Sequence, residues 1–481
     1  MRVLLINPPI RLDDVPRNFP TGLGIIAAVV RKAGYSVAVM DINGHRWDKD
    51  AVSTMLKESD ADVVGISGLV TTFAYQRDFL IPEIHVNVPG AVVIVGGGIG
   101  SSIPDIMLKS GADFVVRGEG EETIVELLNY LRDEKEEKGT TMDIGGVSYR
   151  YNGAIVHNQR RTPILDLDAV PFPAYDFFDM EGTYFKNTVV GPLGLRDHSI
   201  IASRGCTHRC EYCFDLFDHR YRIRSVGNVF GEINFLMGTY GVEHFSFQDD
   251  TMTVKKRWMN EFCDMYEKCE YDFRWSCTSR TDALDGPTFK RMRECGCTSV
   301  SFGIESGSQR ILDSMNKKVK VEVAENALFD ARSAGLRTPV SFIHGWPGET
   351  VDDMNATVHF CIRNKIPLQA LMYATPFPGT KLYTKSKSLI VEKFGSEEAY
   401  LEKVGNCIDF LINLTGYSDE VLQQQRSKMI MTVLDAVPVP TPEEVDARNL
   451  ELYGKVLYEK MNSIEVSDEF KKHRKEHGFN E

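Results

Sequence analysis

The stretch Ser203-Arg-Gly-Cys-Thr-His-Arg-Cys-Glu-Tyr-Cys213 contains three cysteines, Cys206, Cys210 and Cys213. It follows a predicted strand that begins at His198, so the cysteines stand in the loop after a strand. Thiolates are soft ligands that hold iron–sulfur clusters, usually four to a cluster. The next cysteine along the chain is Cys263, which is too distant to belong to the same motif. The stretch therefore predicts a metal cluster that keeps one metal open for a further ligand.

This stretch opens a series of six β-branched or apolar runs that alternate with helical patterns. The predicted strands are residues 198–203, 243–248, 272–277, 298–303, 337–343 and 368–374. Six βα units predict an open, partial (β/α)6 barrel. In such folds the working residues lie on the loops after the strands. Those loops contain residues 206–213, 248–251, 279–281, 305–306, 344–348 and 375–379.

The N-terminal part of the chain shows a second strand–helix alternation. Short β-branched runs occupy residues 2–7, 36–41, 62–67, 91–96 and 113–117. Continuous apolar strands favour a parallel sheet that is buried on both faces. We therefore predict a doubly wound, Rossmann-like parallel sheet, which binds ligands at the carboxyl ends of its strands. The loops at those ends are rich in glycine and short polar residues, which suits a large ligand but equally suits simple turns.

These patterns predict four parts of an α/β protein. They are an N-terminal ligand-binding domain over residues 1–140, a proline-containing linker over 141–195, the partial barrel over 196–385 and a helical C-terminal segment over 386–481. The glycines at 96–98 follow the fourth strand, not the first. This position disfavours a nicotinamide dinucleotide, whose pyrophosphate binds at the first βα turn.

Composition indicates an ordinary soluble globular protein. The 481 residues are 43% apolar and 26% charged, with a formal net charge of −13. A negative chain repels phosphate backbones, so we expect no nucleic-acid partner. We find no signal peptide and no apolar run long enough for a membrane span, and we therefore expect a cytoplasmic protein. The ten cysteines are expected to be metal ligands and reduced thiols.

The Cys-x3-Cys-x2-Cys spacing on the first loop of a partial barrel resembles the radical S-adenosylmethionine (SAM) superfamily. The resemblance implies that Cys206, Cys210 and Cys213 hold a 4Fe-4S cluster whose fourth iron binds SAM. Reductive cleavage of SAM then yields a 5'-deoxyadenosyl radical. It also implies SAM contacts on successive loops: Tyr212, Asp249, Asp250, Arg280, Glu305 and Ser306. Taken singly, each of these residues also fits a turn, a helix cap or ordinary packing.

The glycine-rich N-terminal loops ahead of this barrel resemble those of the cobalamin-binding radical SAM enzymes. The implied cobalamin contacts are Pro8, Pro9, Gly22, Gly24, Asp41, Asn43, Ser67, Thr71, Gly96, Gly97, Gly98, Gly118, Glu119, Gly120 and Glu121. The family's Asp-x-His-x-x-Gly motif is replaced by Asp41-Ile-Asn43-Gly-His45, so asparagine stands where a histidine would bind cobalt. His45 as a shifted ligand, and a domain that has kept the fold without cobalamin, are the alternatives.

The resemblance implies a cobalamin-dependent methyltransferase that acts on an unactivated carbon or phosphorus centre. One alternative is a related enzyme that performs cyclisation, oxidation or carbon–carbon bond formation without net methylation. Another is a non-catalytic iron–sulfur electron-transfer protein. The implied partners are a small-molecule or lipid-like substrate and a reducing protein such as flavodoxin or ferredoxin. His344, Trp346 and Tyr373 are candidate walls of the substrate space.

Two other metal sites remain open from the residues alone. The three cysteines could bind zinc with His208 as the fourth ligand. A second cluster could form from Cys263, Cys269, Cys277, Cys295 and Cys297, although buried thiols are the common alternative.

Overall fold

The computed structural model describes residues 1–10, 15–16, 18–133, 142–186, 195–269, 272–368, 370–441 and 443–445. Parts of the predicted linker and residues 446–481 of the predicted helical C-terminal segment lie outside these ranges. Within them, no helix combines the length and the apolar character that crossing a membrane requires.

The strands follow the predicted alternation closely. They are β1 (Arg2–Asn7), β2 (Ser36–Asp41), β3 (Val63–Ser67), β4 (Val92–Gly96), β5 (Phe114–Val116), β6 (Val147–Tyr151), β7 (Ala154–His157), β8 (Asp197–Ile200), β9 (Ser203–Arg204), β10 (Arg222–Ile223), β11 (His244–Phe247), β12 (Arg274–Ser279), β13 (Cys297–Glu305), β14 (Val340–His344) and β15 (Leu371–Tyr373).

The α-helices lie between these strands and after the last of them. They are α1 (Thr21–Lys32), α2 (Ile42–His45), α3 (Lys49–Lys57), α4 (Phe73–Tyr75), α5 (Ile81–Asn87), α6 (Gly97–Ser102), α7 (Pro104–Lys109), α8 (Glu121–Asp133), α9 (Val226–Tyr240), α10 (Lys256–Tyr266), α11 (Gly286–Glu294), α12 (Gln309–Ser314), α13 (Val321–Ser333), α14 (Val351–Arg363), α15 (Lys381–Phe394), α16 (Glu397–Leu401) and α17 (Asp419–Ala436).

The chain divides into two compact units, each built from three separate segments. Unit 1 consists of Met1–Asn187, Ser203–Arg224 and Thr375–Ile412. Unit 2 consists of Thr188–Ala202, Ser225–Ala374 and Asn413–Glu481. The predicted domains describe the order of patterns along the sequence, whereas these units describe which segments pack together.

Unit 1 is organised around a sheet that, in the described residues, has the strand order β2-β1-β3-β4-β5-β6-β7. Neighbours from β2 to β5 are parallel, and β6 and β7 add an antiparallel hairpin at one edge. The hairpin lies in the stretch that the sequence predicts as linker. The order 2-1-3-4-5 reverses direction between β1 and β3, where open α/β sheets bind their ligands.

Apolar residues on both faces of this sheet hold unit 1 together. Ile6, Val64 and Val93 are at most 2% exposed. The same core cluster contains Leu401 of α16, which comes from the third segment of the unit. Burial of apolar surface on both faces of a parallel sheet is the main force that stabilises such a domain.

Unit 2 is organised around a wholly parallel sheet. Among the described residues its order is β15-β14-β13-β12-β11-β8, which is the order of the strands in the sequence. Strands that add successively to one side, with a helix in each crossover, are the pattern of a barrel. The predicted fold class is therefore confirmed: a Rossmann-like parallel sheet followed by a partial (β/α)6 barrel and C-terminal helices.

Side-chain caps fix where the barrel helices begin. Ser225, Asp285 and Ser308 accept a hydrogen bond from a backbone amide in the first turn of α9, α11 and α12. Thr350 forms a full capping box with Asp353 at the start of α14. Each cap satisfies helix amides that would otherwise lack an acceptor, and so sets the length of the preceding strand-end loop.

Candidate cofactor sites

The cysteine loop is closed at its base by a short antiparallel ribbon. Arg204 of β9 is the register partner of Arg222 of β10, and Ser203 is the partner of Ile223. Gly205 follows β9 with a φ of +80°, and a Cβ placed there would lie 2.5 Å from the backbone oxygen of Arg220. Only glycine fits this position, because a side chain would clash with the returning strand.

The three cysteines lie on this loop in different degrees of exposure. Cys210 is buried, Cys206 is half-buried and Cys213 is exposed. The Cys213 amide donates to the Cys210 carbonyl at 3.3 Å, so the last two cysteines share one tight turn. All ten cysteines lie in the described ranges, and each is a thiol rather than half of a disulfide. The donor set therefore fits a cluster held by thiolates.

The arrangement gives no support to a single zinc ion at this loop. In the part of the chain that the structure describes, no three His, Cys, Asp or Glu side chains converge so that they could bind one metal ion. Zinc held by the three cysteines and His208 would need such convergence. A 4Fe-4S cluster takes a different iron for each cysteine, so its ligands stand further apart.

Two buried carboxylates join the base of the cysteine loop to the N-terminal sheet. Arg204 donates from Nη1 to Glu119 Oε1 at 2.7 Å and from Nη2 to Glu121 Oε1 at 2.6 Å. Arg222 Nη1 donates to both oxygens of Glu119 at 2.9 and 2.8 Å. Burial acts to lower the pKa of Arg204, but the Glu121 and Glu119 carboxylates outweigh it and raise that pKa. All four residues belong to unit 1.

The third segment of unit 1 contacts the same loop from another direction. The Leu382 amide of α15 donates to the Glu211 carbonyl at 2.9 Å, and Lys385 pairs with the Glu211 carboxylate at 2.6 Å. A Cβ at Gly379 would lie 2.4 Å from the ring of Phe214 and 3.3 Å from the Ser102 side chain. The residue after Cys213 therefore packs close to helix α6, which follows β4.

Asp41 and Asn43, predicted as cobalamin contacts, are held in a buried network. Asp41 accepts hydrogen bonds from Asn7 Nδ2 at 2.8 Å, from the Gly44 amide at 2.9 Å and from the Tyr184 hydroxyl at 2.6 Å. Asn43 Oδ1 accepts from the Ile10 amide at 2.9 Å. Burial and the nearby Asp41 charge raise the pKa of Tyr184. His45 is exposed and stacks on Trp47, with ring centroids 4.4 Å apart.

The carboxyl ends of β3 and β4 form a close-packed cradle of backbone. Gly97 has a φ of +76°, and a Cβ there would lie 3.0 Å from the Gly68 oxygen and 3.2 Å from Ser67 Oγ. A Cβ at Gly68 would lie 2.3 Å from Gln76 Nε2 and 3.5 Å from the Pro8 ring. The predicted residues Pro8, Ser67 and Gly97 are therefore brought together where the strand order reverses.

Buried polar atoms in the segment that follows β3 suit a ligand with hydrogen-bonding groups. Thr71 Oγ1, Tyr75 Oη and Gln76 Oε1 are buried and have no hydrogen-bond partner among the described residues. Burial raises the pKa of Tyr75 to about 12, so its hydroxyl stays protonated. Buried polar groups without partners are rare in proteins. A bound cobalamin, rich in amides, would supply partners for them.

The other predicted glycines have varied surroundings. A Cβ at Gly24 would lie 2.9 Å from Pro173, so this glycine allows close packing of α1. Gly118 has a φ of +80° and open space around it, whereas Gly120 approaches Ile26. A Cβ would have open space at Gly22 and only distant contacts at Gly96 and Gly98, the nearest being 4.0 and 3.7 Å away. Pro9 is buried beside Pro8.

In unit 2, the two aspartates after β11 differ in their surroundings. Asp249 is 5% exposed, and its Oδ2 accepts from the Ala202 amide at 3.2 Å. This bond ties the end of the second barrel strand to the residue from which the cysteine loop leaves. Asp250 is exposed. Tyr212, which lies on the cysteine loop of unit 1, is half-buried.

Arg280 and Glu305, predicted on successive loops, are linked through Lys317. Arg280 pairs with Asp282 at 2.9 and 3.0 Å and donates to the Lys317 carbonyl at 2.9 Å. Lys317 Nζ donates to Glu305 Oε1 at 3.0 Å, and both side chains are less than 10% exposed. The structure therefore brings these two predicted residues into one buried network.

Glu305 has an unusual backbone conformation, with a φ of +70° at the end of β13. Its carboxylate folds back over Gly303, where a Cβ would lie 2.3 Å from Glu305 Oε1. The next residue, Ser306, is fully buried; its hydroxyl lies 3.3 Å from Thr357 Oγ1 and accepts from the Ser308 amide at 3.1 Å. Backbone strain of this kind is common where a side chain serves a ligand.

The candidate substrate walls lie where α17 meets the barrel. His344 is fully buried, with Nε2 3.1 Å from the Leu422 carbonyl and Nδ1 3.4 Å from Glu349 Oε2. Arg426 donates to the Leu371 carbonyl and lies over the Tyr373 ring at 4.9 Å. Burial raises the pKa of Tyr373. Helix α17 therefore covers the ends of β14 and β15.

The five cysteines considered for a second cluster all belong to unit 2. Cys263, Cys277, Cys295 and Cys297 are buried, and Cys269 is half-buried. Cys295 donates weakly to the Cys263 carbonyl at 3.7 Å, which is a contact of packed thiols.

Several residues of these sites carry no signal in a short motif. Arg204, Arg222 and Tyr184 act through partners that are distant in sequence, and Lys317 acts through Glu305, twelve residues away. Asp282 instead pairs with Arg280, only two residues away. A second local hint is that Arg204 stands directly before Gly205 and Cys206, so it belongs to the cysteine stretch itself.

Together, the 2-1-3-4-5 sheet, the three-cysteine loop and the partial barrel define an α/β protein with two cofactor-type sites. Comparisons with known proteins agree. The sequence model of the Radical SAM superfamily matches residues 200–361, and that of the B12 binding domain matches residues 16–128.

Individual relatives cover most of the chain. An uncharacterised methyltransferase of Pyrococcus horikoshii is 32% identical over 392 residues, which is 80% of this chain and 82% of the relative. The cytidylyl-2-hydroxyethylphosphonate methyltransferase of Streptomyces wedmorensis is 28% identical over 437 residues, 79% of this chain and 80% of the relative. The structure of the radical SAM methyltransferase TsrM of Kitasatospora setae, with cobalamin and a [4Fe-4S] cluster bound, shares the fold, with a TM-score of 0.69, 16% identity and full coverage of both chains.

The chain therefore belongs to the cobalamin-binding radical SAM enzymes. Its cofactors are a 4Fe-4S cluster, SAM and cobalamin.

Proposed function

We propose that this enzyme transfers a methyl group to an unactivated carbon or phosphorus centre of its substrate. The observation that carries the proposal is that the cysteine loop packs in the same compact unit as the cradle of the N-terminal sheet. A radical methyl transfer needs both cofactors fixed close to the substrate, because positioning supplies much of its rate. The methyltransferases of Pyrococcus horikoshii and Streptomyces wedmorensis, which align with about 80% of this chain, support the same reaction class.

The predicted ligands take the following parts in the proposal. Cys206, Cys210 and Cys213 hold the cluster, and the cradle around Ser67, Thr71 and Gly97 holds cobalamin. Asn43 is already hydrogen-bonded to a backbone amide and His45 faces solvent, so no protein histidine takes the lower face of the corrin in this proposal. When bound, the cofactors supply the methyl group and the radical that removes hydrogen from the substrate.

The chain's own charged residues orient SAM in this proposal. Tyr212 lies beside the adenine, and Asp249 and Asp250 accept from the methionine ammonium group, for which carboxylates are the natural acceptors. Lys317 and Asp282 hold Glu305 and Arg280 in fixed positions, so that these two side chains and Ser306 meet SAM without rearrangement.

The substrate is proposed to be a small or lipid-like molecule, and the electron to come from a protein such as flavodoxin or ferredoxin. The net charge of −13 disfavours nucleic acid as a partner. The ten thiols, three of them proposed cluster ligands, suit a reducing compartment, and we propose the cytoplasm.

The test is anaerobic reconstitution of the full chain with iron, sulfide and hydroxocobalamin, followed by a strong reductant and SAM carrying a labelled methyl group. Without substrate, we expect label on cobalamin and one equivalent of S-adenosylhomocysteine. With a panel that includes a cytidylyl phosphonate, we expect labelled product together with 5'-deoxyadenosine.

Two results would contradict the proposal. Deoxyadenosine without label on cobalamin would favour cyclisation, oxidation or carbon–carbon bond formation. A protein that takes up the cluster but cleaves no SAM would be an electron-transfer protein.

A further inference from the structure

Glu119 and Glu121 lie where the family resemblance predicts cobalamin contacts, but their carboxylates face two arginines. Both residues are 8% exposed. Glu119 accepts from Arg204, from Arg222 and from the Ile164 amide at 2.7 Å, while Glu121 accepts from Arg204. The charges of both carboxylates are therefore already compensated inside the protein.

The two arginines occupy the only paired strands of the cysteine loop in the described residues. Arg204 and Arg222 face each other across the β9–β10 ribbon, one before the first cysteine and one after the last. A carboxylate that binds both arginines fixes the two ends of the loop at once. Glu119 does so, with Arg204 at 2.7 Å and Arg222 at 2.8 Å.

The two glutamates of the ion-pair network are also held in place by the N-terminal sheet. Glu119 and Glu121 follow β5, and Glu121 begins α8. Gly118 turns the chain with a φ of +80°, and Gly120 packs on Ile26 of α1. The carboxylates thus stand on rigid elements at the same end of the sheet as the cradle, because carboxyl ends of parallel strands share one edge.

A second attachment restrains the middle of the loop. Phe214, next to Cys213, packs on Gly379 near Ser102 of α6, and Glu211 is bound by Leu382 and Lys385. The ion-pair network holds the ends of the loop, and these contacts hold the part that carries the last two cysteines.

We propose that Glu119 and Glu121 are positioning residues that fix the orientation of the cysteine loop, and with it the cluster, relative to the cobalamin-binding sheet. The proposal rests on the cysteines being the cluster ligands. It predicts that loss of a carboxylate changes the surroundings of the cluster while cobalamin binding persists. It also predicts a graded effect, because Glu119 binds two arginines and Glu121 binds one.

The experiment compares Glu119→Gln, Glu121→Gln and Glu122→Gln in the full, reconstituted enzyme. Glu122 is the matched control: it pairs with Arg161 at 3.0 Å, but its side chain is 56% exposed. Iron and cobalamin content, the electron paramagnetic resonance spectrum of the reduced cluster with and without SAM, and the cluster's reduction potential are measured beside deoxyadenosine formation.

We expect cobalamin content equal to that of the unmodified protein in all three variants. In Glu119→Gln, the resonance spectrum and its response to SAM change, and deoxyadenosine formation falls by about 100-fold, which is the scale of a small misplacement of reacting groups. Glu121→Gln shows a smaller change, and Glu122→Gln matches the unmodified enzyme. Arg204→Lys keeps the charge but lacks the two separate terminal nitrogens that bind Glu119 and Glu121, and it gives a partial loss.

Loss of cobalamin with an unchanged cluster spectrum would overturn the proposal and make the glutamates corrin contacts. Unchanged spectra and activity in both Glu119→Gln and Glu121→Gln would also overturn it. If Glu119→Gln fails to fold, the result for Glu121→Gln tests the proposal, because that variant removes only one ion pair. An unmodified protein that takes up no cluster would overturn the proposed function on which the inference rests.

Discussion

Gly303 shows how the absence of one side chain places the functional group of another. The Glu305 carboxylate occupies the space where a Cβ of residue 303 would stand, and Lys317 Nζ lies 3.3 Å from the same point. A buried ion pair is stabilising only when its geometry is good and its remaining hydrogen bonds are satisfied. The glycine is therefore required by the Glu305–Lys317 pair, not by its own backbone conformation.

We predict that Gly303→Ala displaces the Glu305 carboxylate and weakens SAM binding by about tenfold. Equilibrium binding of SAM to the reconstituted enzyme measures the effect. Gly238→Ala is the control, since Gly238 lies in α9 with open space at the Cβ position. That substitution should leave SAM affinity unchanged and stabilise the protein by about 0.5–1 kcal/mol. Equal SAM affinity in both variants would contradict the role given to Gly303.

Three cysteines are proposed cluster ligands and the others are packed or surface thiols. Single substitutions can distinguish the two groups by their effect on iron content. Cys213→Ser should lose most of the reconstituted iron and all SAM cleavage, because serine is a poor ligand for iron in such clusters. Cys269→Ser should keep both. Iron and sulfide analysis and deoxyadenosine assays measure the difference between the two variants. A loss of iron in Cys269→Ser would support a second cluster.

At the scale of elements, helix starts depend on single polar side chains. Asp285 caps α11 by accepting from the Thr288 amide at 3.1 Å. Hydrogen bonds from Lys256 and from the Thr288 hydroxyl lower the pKa of Asp285 to about 2. The helix is thus stabilised by a carboxylate in its charged form, near a helix end that favours negative charge.

This cap predicts a pH-dependent stability difference between the unmodified protein and Asp285→Asn. The folded-state pKa lies below the unfolded value of about 3.9. The extra stability is therefore complete above about pH 5 and disappears as the pH falls towards 2. Because the side chain is half exposed, we expect only about 0.5 kcal/mol, measured by urea unfolding across this range. Glu294→Gln, which alters an exposed pair with Lys290, should show no such trend.

The strands could be predicted from sequence because β-branched runs bounded by glycine and polar residues specify them locally. β1 and β2 occupy the predicted residues 2–7 and 36–41, and β14 begins three residues later and ends one residue later than predicted. The β6–β7 hairpin could be predicted as two strands but not as part of the N-terminal sheet. The pairing of β6 with β5 depends on tertiary packing, which a local sequence pattern cannot predict.

For the candidate sites, too, only the locally specified features could be predicted from sequence. Arg280 and Glu305 could be selected from the sequence as candidate ligand contacts, because barrel folds place such contacts at strand ends. Pairs of residues that are distant in sequence could not be predicted. Glu119 and Arg204 are 85 residues apart, and Tyr184 and Asp41 are 143 apart, so only the folded chain brings them together.

At the scale of the whole molecule, the C-terminal part of the chain returns to the N-terminal sheet. Leu401 is 2% exposed in the core of unit 1, and Glu402 pairs with Arg77 at 2.7 Å. Residues 375–412 are therefore part of the ligand-binding unit, although the sequence alone assigns them to the barrel and to the C-terminal segment.

We expect Leu401→Ala to destabilise unit 1 by about 2–4 kcal/mol through the cavity that it leaves. Cobalamin retention should fall with it. Val391→Ala, at a side chain that is 44% exposed on α15, should change stability by less than about 0.5 kcal/mol. Denaturant unfolding of both variants tests the comparison, and equal losses would show that α16 adds nothing to the N-terminal core.

The three-segment build of unit 1 also constrains how the protein is made. A ribosome releases the whole N-terminal sheet early, but Thr375–Ile412, which completes its core, emerges only after all six strands of the barrel sheet. At about 5–20 residues per second, the delay between α8 and this closing segment is roughly 15–60 s. During synthesis the nascent chain therefore exposes an unfinished apolar surface until this closing segment has left the ribosome.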